Sequence, residues 1–570
     1  MGKKLAGLVL AGSVLLGSVA TAAPVIPRGT MIFVPLDTRP VSSAYTVETM
    51  RAAGWDILLP PEELLSSNNR NGKADALLEW LEEKAPESVA VVASGDALLY
   101  GGLVDSRTHH FDKSVLSSRA ERILSLKNKS GNPDVYVFVT IMRSPRASSA
   151  PVEPVYYAQW GPKLFRQGAL RDKQDLGKLN AKERKELQML NREIPADIEQ
   201  DFYRRRKMNI KATELLLHGV ESNNFDYLLI GRDDTAPLSQ AHKEARHMAT
   251  LVSELPKEKI RFFSGADQLG LLLLTRAANK LMYVTPFVHT SYAPGKGGET
   301  VPTYEDDPVA VSAREHIFAA GCYPVPEADR ADFQLKVNTP YNGVTLEAGN
   351  AANNGVLTEN DRVFLDGVMK DLDRGRKVIV ADIKYGNGAD NALVKGLFRD
   401  GIAWDLAAYG GWNTAGNALG FALGQGVLSP YMTEEAKDRL LTVRYLDDWA
   451  YQANARGEVY QTYIWPNYLP NSGFDRKQLP GVEERITQAM YKVAEPVMGP
   501  VVDQYGFTLP WHRMFEVEPV LKPILAERKK AEAEAIRKHQ EKIAAEEQAK
   551  AVAQQEAAAA ERAHIEGTAQ

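Results

Sequence analysis

The chain has 570 residues, which is too long for one compact core and predicts two to four domains at roughly 150 residues each. Hydrophobic residues make up 44% of it and charged residues 25%, a composition that excludes wholesale disorder, collagen and a multi-span membrane protein. The 68 basic residues are outnumbered by 73 acidic residues, giving a net charge of −5, so no nucleic-acid partner is expected.

The first 22 residues have the pattern of an export signal. Lys3 and Lys4 precede an apolar stretch over 5–19, and an A-x-A cleavage pattern ends at Ala22. A short membrane anchor is the alternative, but the apolar stretch falls short of the roughly 20 residues that span a bilayer. We therefore predict a signal peptide over 1–22, export to the periplasm or the extracellular space, and no transmembrane span in the mature chain.

Short β-branched runs alternate with helical patterns from Met31 onward, which indicates βα units that feed a parallel sheet. Ten strands are predicted, at 31–36, 56–59, 88–93, 135–141, 227–230, 260–263, 282–285, 333–337, 378–381 and 402–408. Most are continuous apolar runs, which implies that helices cover both faces of the sheet. Ten strands exceed one eight-stranded barrel, so we favour an α/β fold with two lobes; a (β/α)8-type barrel with an added lobe is the alternative.

The predicted N-terminal lobe spans 23–290 and the predicted C-terminal lobe 308–524, with a Gly-, Pro- and Tyr-rich break between them. A helical insertion over 144–221 interrupts the first lobe and is expected to cap a cleft.

The tail over 525–570 is rich in Ala, Glu and Lys and predicts a long solvated helix. Its composition is that of a coiled coil, but the heptad register of Ile536 and Ile543 continues at Lys550. This favours a spacer, or a helix that contacts the cell envelope; partial disorder of the tail is the alternative.

Polar residues follow the carboxyl ends of most predicted strands. They include Asp37, Arg39, Asp96, Arg143, Asp233, Asp234, Asp382, Asn387, Trp412 and Asn413. In a parallel sheet these ends share one edge, where ligands bind, so we expect one cleft to collect these side chains. The alternative is that each Asp or Asn only caps a helix or stabilises a turn, but capping does not require Arg39 or Arg143.

Asp233 and Asp234 form the pair that we predict to be catalytic. Two adjacent carboxylates that leave a buried strand cannot both be charged cheaply, so one is expected to have a raised pKa and act as an acid while the other stays charged. Substrate-assisted glycosidases use such a pair. The alternative is that Asp234 caps a helix that begins at Pro237 and that Asp233 pairs with an arginine.

Several further residues have two interpretations. Trp412 suits stacking on a sugar, although a core tryptophan is the more common case. The glycines at 416, 420 and 424 indicate close helix packing better than ligand binding. We interpret the acidic pairs 306–307 and 447–448 as solvated.

Motifs for cofactors and metals are missing from the sequence. Neither a P-loop, nor a Rossmann glycine motif after a strand, nor HExxH occurs, and Cys322 is the only cysteine. We therefore predict no cofactor and assign no metal ligands.

Four motifs together resemble a bacterial family known only as domain of unknown function four-one-two-seven. They are VPLDTRP at 34–40, SGDALLYGGLVDSR at 94–107, GRDDT at 231–235 and YGGWNTAGN at 409–417. The resemblance spans nearly the whole chain between the signal peptide and the tail, and it names no reaction. It implies that Tyr100 and Arg107 belong to the family pattern, as do Asp37, Arg39, Asp96, Asp233, Asp234, Trp412 and Asn413.

Three functions remain open at this point. The first is a secreted hydrolase of extracellular or cell-wall carbohydrate, with Asp233 and Asp234 as its acid/base pair. In this hypothesis a small-molecule or glycan substrate is bound by the other strand-end residues and also by Tyr100 and Arg107. The second is a non-catalytic envelope protein that binds a ligand. The third is a hydrolase that holds Mg²⁺ or Ca²⁺ through Asp37, Asp96, Asp233 and Asp382.

Overall fold

The computed structural model describes residues 28–128, 132–470 and 473–567. The signal peptide predicted over 1–22 lies outside these residues. Within the described part of the chain, no helix combines the length and the apolar character needed to cross a membrane.

The first half of the chain forms a six-stranded parallel sheet. Its strands are β1 (Thr30–Val34), β2 (Asp56–Leu58), β3 (Ala90–Ser94), β4 (Asp134–Ile141), β5 (Tyr227–Arg232) and β6 (Ile260–Ser264). They lie in the order β2-β1-β3-β4-β5-β6, which is that of a doubly wound sheet. All residues of β3 and β5 are buried, as the continuous apolar runs predict.

Helices cover this sheet on both faces. They are α1 (Ala44–Ala52), α2 (Ala74–Lys84), α3 (Gly95–Tyr100), α4 (Leu103–Thr108), α5 (Lys113–Leu124), α6 (Tyr157–Asp175), α7 (Ala181–Glu193), α8 (Ala196–Glu221), α9 (Gln240–Ser253) and α10 (Leu269–Leu281). The helices α6, α7 and α8 form the insertion, which has a small apolar core of its own around Tyr157, Leu164 and Phe202.

A second sheet holds five parallel strands in the order β13-β11-β9-β7-β8. The strands of this half are β7 (Phe287–Tyr292), β8 (Tyr323–Pro324), β9 (Phe333–Asn338), β10 (Leu346–Glu347), β11 (Lys377–Asp382), β12 (Tyr385–Gly386) and β13 (Ala408–Gly410), of which β10 and β12 pair separately. The helices are α11 (Val309–Ala319), α12 (Glu359–Asp373), α13 (Asn391–Arg399) and α14 (Ala415–Leu428). Both sheets are open, so the predicted α/β fold is confirmed, whereas the strands do not form the alternative barrel.

Two predicted strands are displaced. The one expected at 282–285 is instead the turn that ends α10: Met282 and Val284 donate their backbone N–H groups to Ala278 and Asn279, and Tyr283 has a φ of 56°. The strand follows at β7, so the second sheet begins with residues that we placed at the end of the N-terminal lobe. The lobe boundaries themselves stay a prediction. At 402–408 only Ala408 joins a strand.

The two halves meet where α10 packs on α14, and every residue of α14 is buried. The glycines on α14 allow this approach, because a Cβ on Gly424 would lie 2.7 Å from the Leu271 Cγ of α10. The stripe of glycines therefore serves packing, as predicted.

The remainder of the chain closes over the second sheet. Its elements are α15 (Glu434–Arg444), π-helical turns at Tyr445–Ala455 and Tyr460–Ile464, α16 (Arg456–Val459), α17 (Leu479–Met498), the antiparallel pair β14 (Tyr505–Thr508) and β15 (Glu518–Leu521), and α18 (Lys522–Gly567). The predicted long C-terminal helix is confirmed as α18, and its start at Lys522 lies three residues before the predicted one.

The interpretation of two acidic pairs as solvated is wrong for three of the four residues. Asp447 and Asp448 are buried in the first π-helical turn, where Arg444 approaches them at 3.4 and 3.2 Å. Asp306 is also enclosed and forms an ion pair with Arg232 at 2.8 Å. Buried arginines supply the charge compensation that water would give an exposed pair.

Candidate active site

A cavity of about 420 Å³ lies where loops from both sheets meet. The loops that follow β1, β3, β4, β5 and β6 line one side, and those that follow β7, β12 and β13 line the other. The segment that contains Arg513 and Phe515 completes the wall. The cavity thus lies at the carboxyl ends of the strands, where parallel sheets bind ligands.

Seven of the twelve predicted site residues line this cavity. They are Arg39, Arg107, Arg143, Asp233, Asp234, Asn387 and Asn413. The other five, Asp37, Asp96, Tyr100, Asp382 and Trp412, do not.

Asp233 follows the buried strand β5 and pairs with Arg107. The Arg107 Nη2 donates to Asp233 Oδ2 at 2.7 Å, and the two side chains are only 5% and 8% exposed. Solvent screens an ion pair this well shielded only weakly. The pairing of Asp233 with a distant arginine, which we considered as the structural alternative, is therefore present, and both partners line the cavity.

Asp234 differs from its neighbour in its surroundings. Its Oδ2 accepts a hydrogen bond from Arg143 Nη1 at 2.9 Å, yet burial, together with the charge of Asp233, raises the pKa of Asp234. It does not cap the next helix, because α9 begins at Gln240 and Ser239 accepts from the backbone N–H of His242. The capping alternative is wrong for this residue.

The arginines of the cavity are held in an array of ion pairs. Glu153 accepts from Arg143 Nε at 2.8 Å and lies 3.8 Å from Arg107, so it links the partners of the two aspartates. Such an array fixes the positions of donors and acceptors before a ligand arrives.

A second group of charges surrounds Arg39. Its guanidinium bonds Asp37 at 2.8 Å and Asp267 at 2.6 Å and lies over the Trp511 ring. Asp37 does not line the cavity itself but binds Arg39, which does. Burial raises the pKa of Asp267 to about 6.

Four residues of the cavity wall have left-handed backbone conformations. The φ angles of Asp234, Tyr304, Asn387 and Asn413 are 33°, 72°, 57° and 60°. This conformation is uncommon outside glycine and is costly for a bulky residue such as tyrosine. Strain of this kind concentrates at functional sites. The Asn387 N–H also donates to Asn413 O at 2.8 Å, which ties two of these loops together.

Glu305 is a cavity residue that sequence reasoning missed. Its side chain is buried, its Oε1 accepts from the Gly416 backbone N–H at the start of α14, and burial raises its pKa to about 8. Its Oε2 has no hydrogen-bond partner among the residues that the structure describes. Glu305 lies in the stretch that we predicted as a break between two lobes, and in the structure this stretch belongs to the connection that follows β7.

Further residues of the cavity wall, which we did not predict as site residues, lie at or just after strand ends. Arg232 ends β5, Asp267 follows β6, and Thr414 and Asn417 begin α14, with the Thr414 hydroxyl accepting from the Asn417 N–H. Asp267 is only three residues past the end of its strand, so the rule that identified Asp233 also applies to it. Arg513, by contrast, comes from a segment with no such local pattern.

The five predicted residues outside the cavity have structural partners. Asp96 accepts from the Thr140 N–H and hydroxyl at 2.8 and 3.1 Å, and burial raises its pKa to about 7. Asp382 accepts from the Asp390 N–H and the Tyr409 hydroxyl.

The aromatic residues in this group are in the core. Tyr100 is buried and stacks on His109. Trp412 is 2% exposed and packs edge-on against Phe515. It is therefore a core tryptophan, which was the alternative that we considered for it.

The carboxylates proposed for metal binding do not converge. Of Asp37, Asp96, Asp233 and Asp382, only Asp233 lines the cavity. In the described ranges, no group of three or more His, Cys, Asp or Glu side chains is arranged to hold a metal ion.

Comparison with known proteins gives one match, to a family profile. No curated protein and no solved structure matches the chain significantly. A family profile described as "Protein of unknown function (DUF4127)" matches residues 31–519, which covers both sheets and every residue of the cavity wall. The chain therefore belongs to this family.

Proposed function

We propose that the protein is an exported hydrolase of extracellular or cell-wall carbohydrate, with Asp233 and Asp234 as its central carboxyl pair. One observation carries the proposal. Within one cavity, Asp233 is paired with Arg107 while burial raises the pKa of the adjacent Asp234. Two carboxyl groups in unlike environments are the equipment of glycoside hydrolysis.

The rest of the cavity wall suits a polyhydroxylated substrate. Its fixed arginine and carboxylate groups, with the amides of Asn387 and Asn413, offer donors and acceptors side by side, as paired hydroxyl groups require. The rings of Tyr304, Tyr460 and Phe515 add apolar surface. A volume of about 420 Å³ is within the usual range of small-ligand sites.

The cellular location is part of the proposal. The basic, apolar and A-x-A segments of the first 22 residues support export, and an exported hydrolase meets extracellular glycans. The exposed helix α18 would then serve as a spacer or contact the envelope.

The test compares the parent with Asp233→Asn and Asp234→Asn on a panel of glycans and aryl glycosides. We expect each substitution to lower turnover by roughly 10²- to 10⁴-fold, since each removes a charged or proton-transferring group. Asp75→Asn is the matched control, because Asp75 also pairs with an arginine, Arg119, at 2.7 Å but lies outside the cavity wall. Full turnover in both cavity variants would refute the assignment.

A second candidate is an envelope protein that binds a ligand without converting it. It is favoured by the ion pairs on both aspartates, since Arg107 and Arg143 hold them as a fixed recognition surface would. Detectable ligand binding by the parent without turnover would support this function instead.

A further inference from the structure

Glu305 differs from the other carboxyl groups of the cavity in its hydrogen bonds. Asp233, Asp234 and Asp267 each accept a hydrogen bond from an arginine. Glu305 accepts one from a backbone amide, that of Gly416, and its Oε2 has no hydrogen-bond partner within the described chain. The Glu305 side chain is only 3% exposed, so burial has removed the hydrogen bonds that water would give to Oε2, and no described residue replaces them.

The fold holds Glu305 close to the aspartate pair. Thr235 follows Asp234 and donates its N–H to the backbone oxygen of Tyr304, which precedes Glu305, at 2.9 Å. This hydrogen bond joins the loop of the aspartate pair to the loop of Glu305. On the other side of Glu305, Asp306 pairs with Arg232, the residue before Asp233. These links on both sides fix the glutamate relative to Asp233 and Asp234.

Close packing also fixes the carboxyl group itself. A Cβ placed on Gly416 would lie 3.1 Å from Glu305 Oε1 and 2.7 Å from the backbone oxygen of Ser264. The absence of a side chain at 416 therefore lets α14 approach and donate to Oε1, which leaves Oε2 as the atom able to carry a proton.

We infer that Glu305 is the catalytic acid of this site and protonates the leaving group. The inference rests on the proposed function and assigns the proton donor to Glu305 instead of Asp234, because Asp234 is bound to Arg143 whereas Glu305 Oε2 has no hydrogen-bond partner within the described chain. The raised pKa of Glu305, about 8 because of burial, agrees with this role, since a carboxyl group must hold its proton at neutral pH to donate it.

The step balances with water as the second reactant. The glycosidic C–O bond breaks, and the proton on Glu305 goes to the departing oxygen. Water adds its hydroxyl group to the anomeric carbon and gives its proton to the Asp233 carboxylate. Exchange with solvent then returns a proton to Glu305 and removes one from Asp233, which restores the starting state.

The test varies the leaving group. The parent and Glu305→Gln are assayed on 2,4-dinitrophenyl and methyl glycosides of glucose, N-acetylglucosamine and glucuronic acid. Dinitrophenolate leaves without a proton, whereas methoxide needs one. We expect Glu305→Gln to lower kcat/KM by at least about 100-fold on the methyl glycoside and by less than about 10-fold on the dinitrophenyl glycoside.

Glu483→Gln is the matched control, because Glu483 also accepts from a backbone amide, that of Leu509, and lies outside the cavity wall. It should keep the parent's activity on both substrates. If Glu305→Gln does not fold, the pH profile of the parent on the methyl glycoside decides: loss of kcat/KM above about pH 8 supports the acid role, and a flat profile to pH 10 overturns it.

The outcomes separate the two proposals. Equal losses on both leaving groups in Glu305→Gln, or no loss on either, would overturn the acid role while leaving hydrolysis intact. A parent that turns over none of these glycosides would overturn the hydrolase and the acid role together.

Discussion

The protonation of Glu305 makes a prediction about stability that requires no substrate. Burial raises the pKa of Glu305 to about 8 in the folded protein, from an ordinary value of 4.5. Below pH 4.5 the carboxyl group is protonated in both the folded and the unfolded states, so it has no effect on the pH dependence of stability. Between pH 4.5 and about 8, the folded protein retains a proton that the unfolded chain has released, so this group lowers the free energy of unfolding by about 1.4 kcal/mol for each pH unit. Above pH 8 the loss is complete.

Replacing Glu305 by Gln removes this dependence. The free energy of unfolding of Glu305→Gln minus that of the parent should therefore rise by about 3 kcal/mol between pH 5 and pH 8. Urea unfolding followed by far-UV circular dichroism at the two pH values measures it. The glutamine can still accept from the Gly416 N–H, so differences in packing enter equally at both pH values and cancel. A difference that stays the same from pH 5 to pH 8 would refute the assignment of a protonated Glu305.

Three further substitutions test the packing and the ion pairs of the site, each through the free energy of unfolding in urea. Arg107→Met should lower it by roughly 3–5 kcal/mol, because it leaves the buried Asp233 carboxylate without its cation. Gly416→Ala should lower it by roughly 1–3 kcal/mol, because the new Cβ would lie 2.7 Å from a backbone oxygen, whereas Gly457→Ala, with nothing within 4 Å of its Cβ, should not lower it. Trp412→Ala should lower it by roughly 3–5 kcal/mol, because this side chain is part of the core.

Each of these expectations has a clear opposite. A stable Arg107→Met protein would mean that the aspartate is not held as a buried charge. Equal effects of alanine at 416 and 457 would mean that α14 does not approach the neighbouring loop closely. A Trp412→Ala protein of unchanged stability would mean that Trp412 is not part of the core, and it would favour the alternative that Trp412 stacks on a sugar.

Local sequence patterns were sufficient to predict the cavity wall in part. Arg39, Arg143 and the aspartate pair follow buried apolar strands, and in a parallel sheet that position alone directs a residue to the binding edge. The α/β fold and the long C-terminal helix were predictable for the same reason, since each depends on periodicity and composition within a short window.

The partners of these residues were not predictable, because they are distant in sequence. Arg107 meets Asp233 across 126 positions, and no local pattern selects that arginine among the others. Asp447 and Asp448 were interpreted as solvated because an acidic pair is usually exposed; the buried Arg444 reverses this preference. Glu305 was missed because it lies in the stretch that we predicted as a break between lobes, whereas this stretch belongs to the connection that follows β7.

The measurement that tests the account most directly is cleavage of cell-wall glycan in H₂¹⁸O, followed by mass spectrometry of the products. The parent should release fragments that carry one ¹⁸O atom at the new anomeric hydroxyl, and Asp233→Asn should release roughly 10²- to 10⁴-fold fewer, since hydrolysis takes its oxygen from water and needs the carboxylate of the cavity. Release of labelled fragments at the same rate by the parent and by Asp233→Asn would contradict the account.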